Sequence, residues 1–332
     1  MRTADPLLRV EHLTAGFDAG GRLLPAVRDV SFTISQGETL GIVGESGCGK
    51  SVTALSIVRL LQPPGRIASG RIVFDGRDLL SLDEEDIRSV RGAGIGFIFQ
   101  EPGAALSPVY TIGDQIAEAM VVHGQAGWPE ARRRAVDLLD AVRVPDAAGR
   151  ARDYPHQLSG GLRQRVMIAI ALACGPQLVI ADEPTTALDA TIQAGILELL
   201  RDLRDRRHLA LLLITHDFGV VAQEADTVAV MYAGRIVERG RTLDVLRAPR
   251  HPYTQGLLSS IPGRGAATSA RLRAINGVVP SPGHIPAGCA FEPRCPVRMA
   301  RCRSEMPPAS AVSGPGEVPH AVHCHLYEAC GT

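Results

Sequence analysis

The sequence predicts an α/β fold built on a parallel sheet, from three observations. The run Gly44-Glu45-Ser46-Gly47-Cys48-Gly49-Lys50-Ser51 fits G-x-x-x-x-G-K-[ST] and lies between the apolar run Thr39–Val43 and a helical pattern. Leu178–Ala181 and Leu209–Ile214 are almost wholly aliphatic, as strands covered on both faces are. Residues 111–173 carry helical spacing and no convincing strand, so a helical insertion interrupts the alternation.

Taken in order, Leu7–Val10, Val27–Ile34 and Thr39–Val43 read as strands, the last central because it is nearly all apolar. A helix follows Gly49. Arg71–Phe74 and Ile95–Phe99 read as further strands. Ile112–Val122, Glu130–Val142 and Leu162–Cys174 carry the helical spacing of the insertion, which spans about 101–173. Leu178–Ala181 is a buried strand, Asp189–Arg206 a long helix and Leu209–Ile214 a buried strand. Val228–Tyr232 and Arg235–Glu238 flank Ala233-Gly234 as a hairpin. Beyond about Arg247 the chain turns rich in Pro, Gly, Ser and Arg, an extension with little core of its own. The expected division is a main domain over 7–250 and an extension over 251–332.

The 332 residues carry 35 basic and 35 acidic side chains. That balance argues against a nucleic-acid coat or a polybasic membrane anchor. Aromatics make up only 4%, so the core is aliphatic. No apolar leader opens the chain, and Val166–Cys174 and Leu209–Ile214 are too short to span a bilayer. The expectation is a soluble, intracellular protein that reaches a membrane only through partners.

The glycine-rich run supplies the chemistry. Its backbone N–H groups turn inward around a β-phosphate, Lys50 reaches the β- and γ-phosphates, and Ser51 offers a hydroxyl to Mg²⁺. Asp182 and Glu183 end a buried strand. Asp182 would hold Mg²⁺, through water, and Glu183 would act as general base on the water attacking the γ-phosphate. His216 ends the next strand and would sense the γ-phosphate. Gln100 ends GIGFIFQ and would touch the metal or the attacking water. Strand ends converging on one chemistry are what a parallel sheet provides. A second anion site stands at Leu158-Ser159-Gly160-Gly161-Leu162, where a serine and two glycines open a helix.

GESGCGKS, FIFQEP, LSGGLRQR, LVIADEPTTALD and LLLITHD follow one another in the order found in ABC-transporter ATPase subunits, which the sequence resembles over roughly residues 7–250. They resemble the Walker A motif, the Q-loop, the signature, the Walker B motif with the D-loop, and the switch histidine. The resemblance implies a RecA-like P-loop core with an antiparallel β-subdomain and a helical subdomain. It implies ATP hydrolysis with Mg²⁺, and head-to-tail dimers enclosing two ATPs. Ser159, Gly160, Gly161 and Asp189 would then act in trans on nucleotide held by the other subunit. Leu162 departs from the glutamine most common in the signature; serine and backbone contacts survive that change. Phe17 lies where the family places an adenine-stacking aromatic, the alternative being a strand-end core residue.

QEPGAALSPVYTIGDQIAEAM, HPYTQGLL and GCAFEPRCPVRMARC narrow the resemblance to the oligopeptide/dipeptide permease ATPases, with nickel or glutathione carriers as the alternative. The implied partners are a second ATPase subunit (a paralogue more than an identical chain), two transmembrane permease subunits and, indirectly, an extracytoplasmic binding protein. The implied place is the cytoplasmic face of the cell membrane. Residues 100–120 would meet a coupling helix of a membrane subunit.

Five of seven cysteines crowd the tail: Cys289, Cys295, Cys302, Cys324 and Cys330. The first four match the family's C-terminal pattern and suit a [4Fe–4S] cluster or zinc. The absence of tight C-x-x-C pairs, and Pro296 after Cys295, favour the cluster; reduced thiols without metal are the third reading. Cys330 is spare, and His323 or His325 would substitute for a thiolate. Two other classes fit less well. A soluble ABC protein of DNA repair or translation usually has two cassettes, a coiled coil or basic surfaces. A P-loop GTPase needs Asn-Lys-x-Asp, and the only asparagine, Asn276, precedes glycine.

Overall fold

Aliphatic runs become the buried strands of the computed structural model, which describes residues 5–186, 188–260, 275–281, 283–312 and 320–328. The strands are β1 (Leu8–Ala19), β2 (Arg22–Ile34), β3 (Thr39–Val43), β4 (Gly65–Phe74), β5 (Arg77–Asp78), β6 (Ile95–Ile98), β7 (Leu178–Asp182), β8 (Ala210–Thr215), β9 (Thr227–Tyr232), β10 (Arg235–Arg241), β11 (Ala309–Ala311) and β12 (Ala321–His323). The helices of eight residues or more are α1 (Lys50–Ile57), α2 (Ile112–Val122), α3 (Trp128–Ala141), α4 (Gly160–Leu172), α5 (Ala190–Arg207) and α6 (Pro252–Ser259). The chain divides into two compact units. One takes Ser35–Glu38 and Leu79–Ile214; the other takes Pro6–Ile34, Thr39–Asp78 and Thr215–Thr332.

In the first unit β6, β7 and β8 run parallel, with Ile98 beside Ala181 and Asp182 beside Ile214. Every residue of β7 and β8 is buried, which is why these strands read as unbroken apolar runs. The insertion is helical as expected. Thr111 caps α2 by accepting from the Asp114 N–H at 3.2 Å. Asp114 then pairs with Arg132 of α3 at 2.7 Å. Helix α3 begins at Trp128, two residues earlier than its apolar spacing suggests, because Pro129 is at home in a first turn.

In the second unit β1 pairs antiparallel with β2 and β4, and β4 with β5. A separate ladder joins β3 parallel to β9, then β10, β12 and β11 antiparallel. Strands β1 and β2 are much longer than Leu7–Val10 and Val27–Ile34. Their register shifts between Val10 and Leu13, and again near Ala15, which breaks the alternation that a sequence pattern relies on.

The extension has no separate core; it joins that of β3, β9 and β10. Tyr253, Leu258, Ala290 and Phe291 are buried with Val43, Val228, Val230 and Tyr232. The rings of Tyr232, Tyr253 and Phe291 pack with centroids 4.6–5.4 Å apart. Such pairs contribute about 0.5–1.5 kcal/mol each beyond the area they bury. Glu238 of β10, fully buried, accepts from the backbone N–H of Arg250 (2.7 Å) and His251 (2.9 Å) and pairs with His320 Nε2 at 2.7 Å. One carboxylate thus fastens both the start of the extension and its last strand. His251 Nδ1 accepts from the Tyr253 N–H at 3.1 Å, and burial pushes its pKa down to about 4, so the imidazole stays neutral.

Candidate nucleotide site and cysteine pocket

Strand β3 runs directly into the glycine-rich loop. Gly49 takes φ 107°, and a Cβ there would lie 2.4 Å from the Ala26 carbonyl oxygen, so only glycine fits. It is the N-cap of α1. Cys48 is fully buried, and its carbonyl accepts from the Gly234 N–H at 2.8 Å, pinning the loop to the turn between β9 and β10. The Lys50 ammonium lies over the loop, donating to the carbonyls of Gly44 (2.8 Å) and Glu45 (3.3 Å). Ser51 stands in the first turn of α1. The loop Gly44–Ser51 thus gathers a lysine and a helix N-terminus at one strand end, a geometry suited to an anion. In the same unit Phe17 leaves 39% of its surface exposed, more than a buried core residue would. His216 follows β8 and is exposed.

In the other unit the parallel register brings Gln100, Asp182 and Glu183 to the carboxyl edge of β6 and β7. Asp182 is buried at the last position of β7. Glu183 adopts φ 48°, a left-handed conformation costing a non-glycine residue about 1–3 kcal/mol. Its N–H donates to the Ile214 carbonyl at 2.9 Å, and its Oε2 accepts from Thr186 Oγ1 at 2.8 Å. Thr186 is a positioning contact that the motif reading did not single out; a hydroxyl three residues beyond a candidate base was the available signal.

Ser159 caps α4, its hydroxyl accepting from the Leu162 N–H at 3.4 Å. Asp189 caps α5, accepting from the N–H groups of Thr191 (3.1 Å) and Ile192 (3.0 Å). The two helix starts touch: a Cβ on Gly161 would lie 2.7 Å from Ile192 Cγ2. Ser159 and Gly160 stay exposed, so two dipole ends open together beside an accessible serine.

In the tail Cys289, Cys295, Cys302 and Cys324 line one pocket, with His251, His325 and Phe291. All are free thiols, and Cys330 lies outside the described residues. Burial pushes the Cys289 thiol up to about 11 and raises those of Cys295 and Cys324. Thiolates here therefore call for a cationic partner. Among the described residues, however, no three His, Cys, Asp or Glu side chains are gathered closely enough to hold one metal ion. The described side chains therefore form no metal centre by themselves. His325 is already engaged, by Glu328 at 2.6 Å and the Glu305 carbonyl at 3.0 Å.

Comparison with known proteins agrees with this geometry. Residues 27–186 match the ABC transporter family, and residues 237–302 match the oligopeptide/dipeptide transporter C-terminal region. A probable peptide ABC transporter ATP-binding protein of Sinorhizobium fredii is 51% identical over 97% of this chain and 95% of its own length. The dipeptide transport ATP-binding protein DppD of Escherichia coli is 49% identical, covering 91% and 92%. The oligopeptide transport ATP-binding protein AppD of Bacillus subtilis is 49% identical over 97% of each. Among solved structures, a dimeric post-hydrolysis state of the ATP-binding cassette MJ0796, bound to ADP and Pi, superposes with TM-score 0.64 at 28% identity. That match covers 71% of this chain and 98% of the other. Among the described residues no helix is long and apolar enough to cross a membrane. With a glycine-rich lysine loop, an acidic pair at a parallel sheet edge and relatives at about half identity over nearly the whole chain, the chain belongs to the ABC transporter ATP-binding proteins, in the branch that carries the oligopeptide/dipeptide C-terminal region.

Proposed function

We propose that the chain hydrolyses ATP to drive a peptide importer, docking on the cytoplasmic side of two membrane permease subunits. The observation that carries the reading is Glu183, held in a strained conformation beside buried Asp182 in a chain whose full-length relatives are named for dipeptide and oligopeptide transport. Lys50 and the loop N–H groups hold the β- and γ-phosphates, and Phe17 stacks on the base. Ser51, Asp182 and Gln100 would hold Mg²⁺, which when bound would supply charge neutralisation to the phosphates. Glu183 accepts a proton from the attacking water, and His216 reads the γ-phosphate. Ser159, Gly160, Gly161 and Asp189 complete the site on a second subunit, a paralogue in the arrangement we favour. ATP supplies the negative charge that both positive faces need, so closure follows binding and opening follows hydrolysis.

The test is ATP turnover of the complex of this chain with its permease subunits in vesicles. Di- and oligopeptides presented by the binding protein are expected to stimulate turnover; nickel or glutathione as the only stimulant would overturn the cargo. Lys50→Ala should lose nucleotide binding by roughly 100-fold, since the loop then has no cation to meet the phosphates. Unchanged binding would remove the cradle.

For the tail we propose that Cys289, Cys295, Cys302 and Cys324 hold an iron–sulfur cluster rather than zinc. Four cysteines lining one apolar pocket, without tight C-x-x-C pairs and with Pro296 after Cys295, support that choice. Protein purified without oxygen should contain iron and acid-labile sulfide in equal amounts. Stoichiometric zinc without iron would reverse the assignment.

A further inference from the structure

Glu45 is an anomaly in a loop built for polyphosphate, because its carboxylate would repel the ligand. Two residues from beyond position 250 deal with it. Arg294 donates from Nη1 to Glu45 Oε2 at 2.7 Å and from Nη2 to Oε1 at 3.0 Å, a bidentate pair. Tyr253 Oη accepts from the Glu45 N–H at 2.9 Å. Arg294 is itself held on every side. Its Nε donates to the Asn276 carbonyl at 2.9 Å and its Nη2 to that of Ile275 at 3.3 Å. The guanidinium lies 5.8 Å and 6.0 Å from the ring centroids of Tyr232 and Phe291, and the side chain is 5% exposed. So many constraints on one arginine fix both its charge and its direction.

We propose that Arg294, braced by the aromatic cluster, is a positioning residue of the nucleotide site: it neutralises Glu45 and, with Tyr253, sets the path of the loop at that residue. The extension is then part of the ATP site, not an appendage. Arg294 also immediately precedes Cys295, so folding of the cysteine pocket places the guanidinium. This rests on reading Gly44–Ser51 as the nucleotide loop.

The test measures ATP binding and steady-state turnover in the full-length chain. Arg294→Gln leaves an uncompensated anion beside the phosphates, and its Kd and KM should rise about tenfold with kcat within about twofold of wild type. Adding Glu45→Gln to that variant removes the same charge and should recover most of the affinity. A purely structural arginine would not be rescued in this way. Arg294→Lys keeps the charge but not the fork, and should fall between wild type and Arg294→Gln. Should Arg294→Gln fail to fold, the double variant and Arg294→Lys decide the matter on the same expectations. Wild-type affinity in Arg294→Gln, a double variant as weak as the single one, or a lysine variant as weak as glutamine would each overturn the proposal. Lys50→Ala run alongside separates the two levels: if that variant still binds ATP, the nucleotide-loop reading itself has failed.

Discussion

Glu183→Gln should bind ATP with wild-type affinity and hydrolyse it about 10²–10⁴-fold more slowly, the usual contribution of a positioned general base. The side chain keeps its size and keeps an oxygen for Thr186 Oγ1, so the contact at 2.8 Å survives. The backbone bond to Ile214 is untouched. The left-handed φ of 48° is no worse for glutamine than for glutamate. What disappears is the capacity to accept a proton. With both phosphate-binding faces intact and the bridge never cleaved, the closed dimer should accumulate. A single-turnover assay reads the first effect and sedimentation with ATP reads the second. Turnover near wild type would assign the base elsewhere at this sheet edge.

Much of the fold was legible in the sequence because it is written in local patterns. Strands β3, β7 and β8 are buried at every position, so short, mostly aliphatic runs suffice to mark them. Ser159 and Asp189 are helix caps, which sequence and structure express in the same residues. The losses have equally specific causes. Strand β1 turns through bulges around His12 and Ala15, so its alternation fails after Val10. The tail looked poor in core because its few apolar residues, Tyr253, Leu258 and Phe291, complete the core of β9 and β10 instead of forming a separate one. The Arg294–Glu45 pair spans 249 positions, and no spacing rule reaches that far. The cysteines fell between these cases: their clustering was legible in sequence, whereas the single pocket that Cys289, Cys295, Cys302 and Cys324 line is a property of the fold.

Gly161→Asp should leave ATP bound to this chain's own loop and abolish hydrolysis, by about 10²–10³-fold for the loss of preorganised donors at the developing charge. Position 161 is the second residue of α4, and an acid there favours the helix through its dipole, so the helix itself should not melt. Two other effects act instead. A Cβ would lie 2.7 Å from Ile192 Cγ2, forcing the start of α4 away from the start of α5. In the proposed dimer the new carboxylate would also place a negative charge against the γ-phosphate held by the opposite subunit. The decisive measurement is nucleotide affinity at concentrations too low for pairing. If Ser159 and Gly161 act across the dimer, the dilute variant binds ATP as wild type does, and only ATP-driven association and turnover fail. If the dilute monomer loses ATP, these groups serve their own chain's nucleotide, and the two-subunit sandwich is the wrong engine for this transporter.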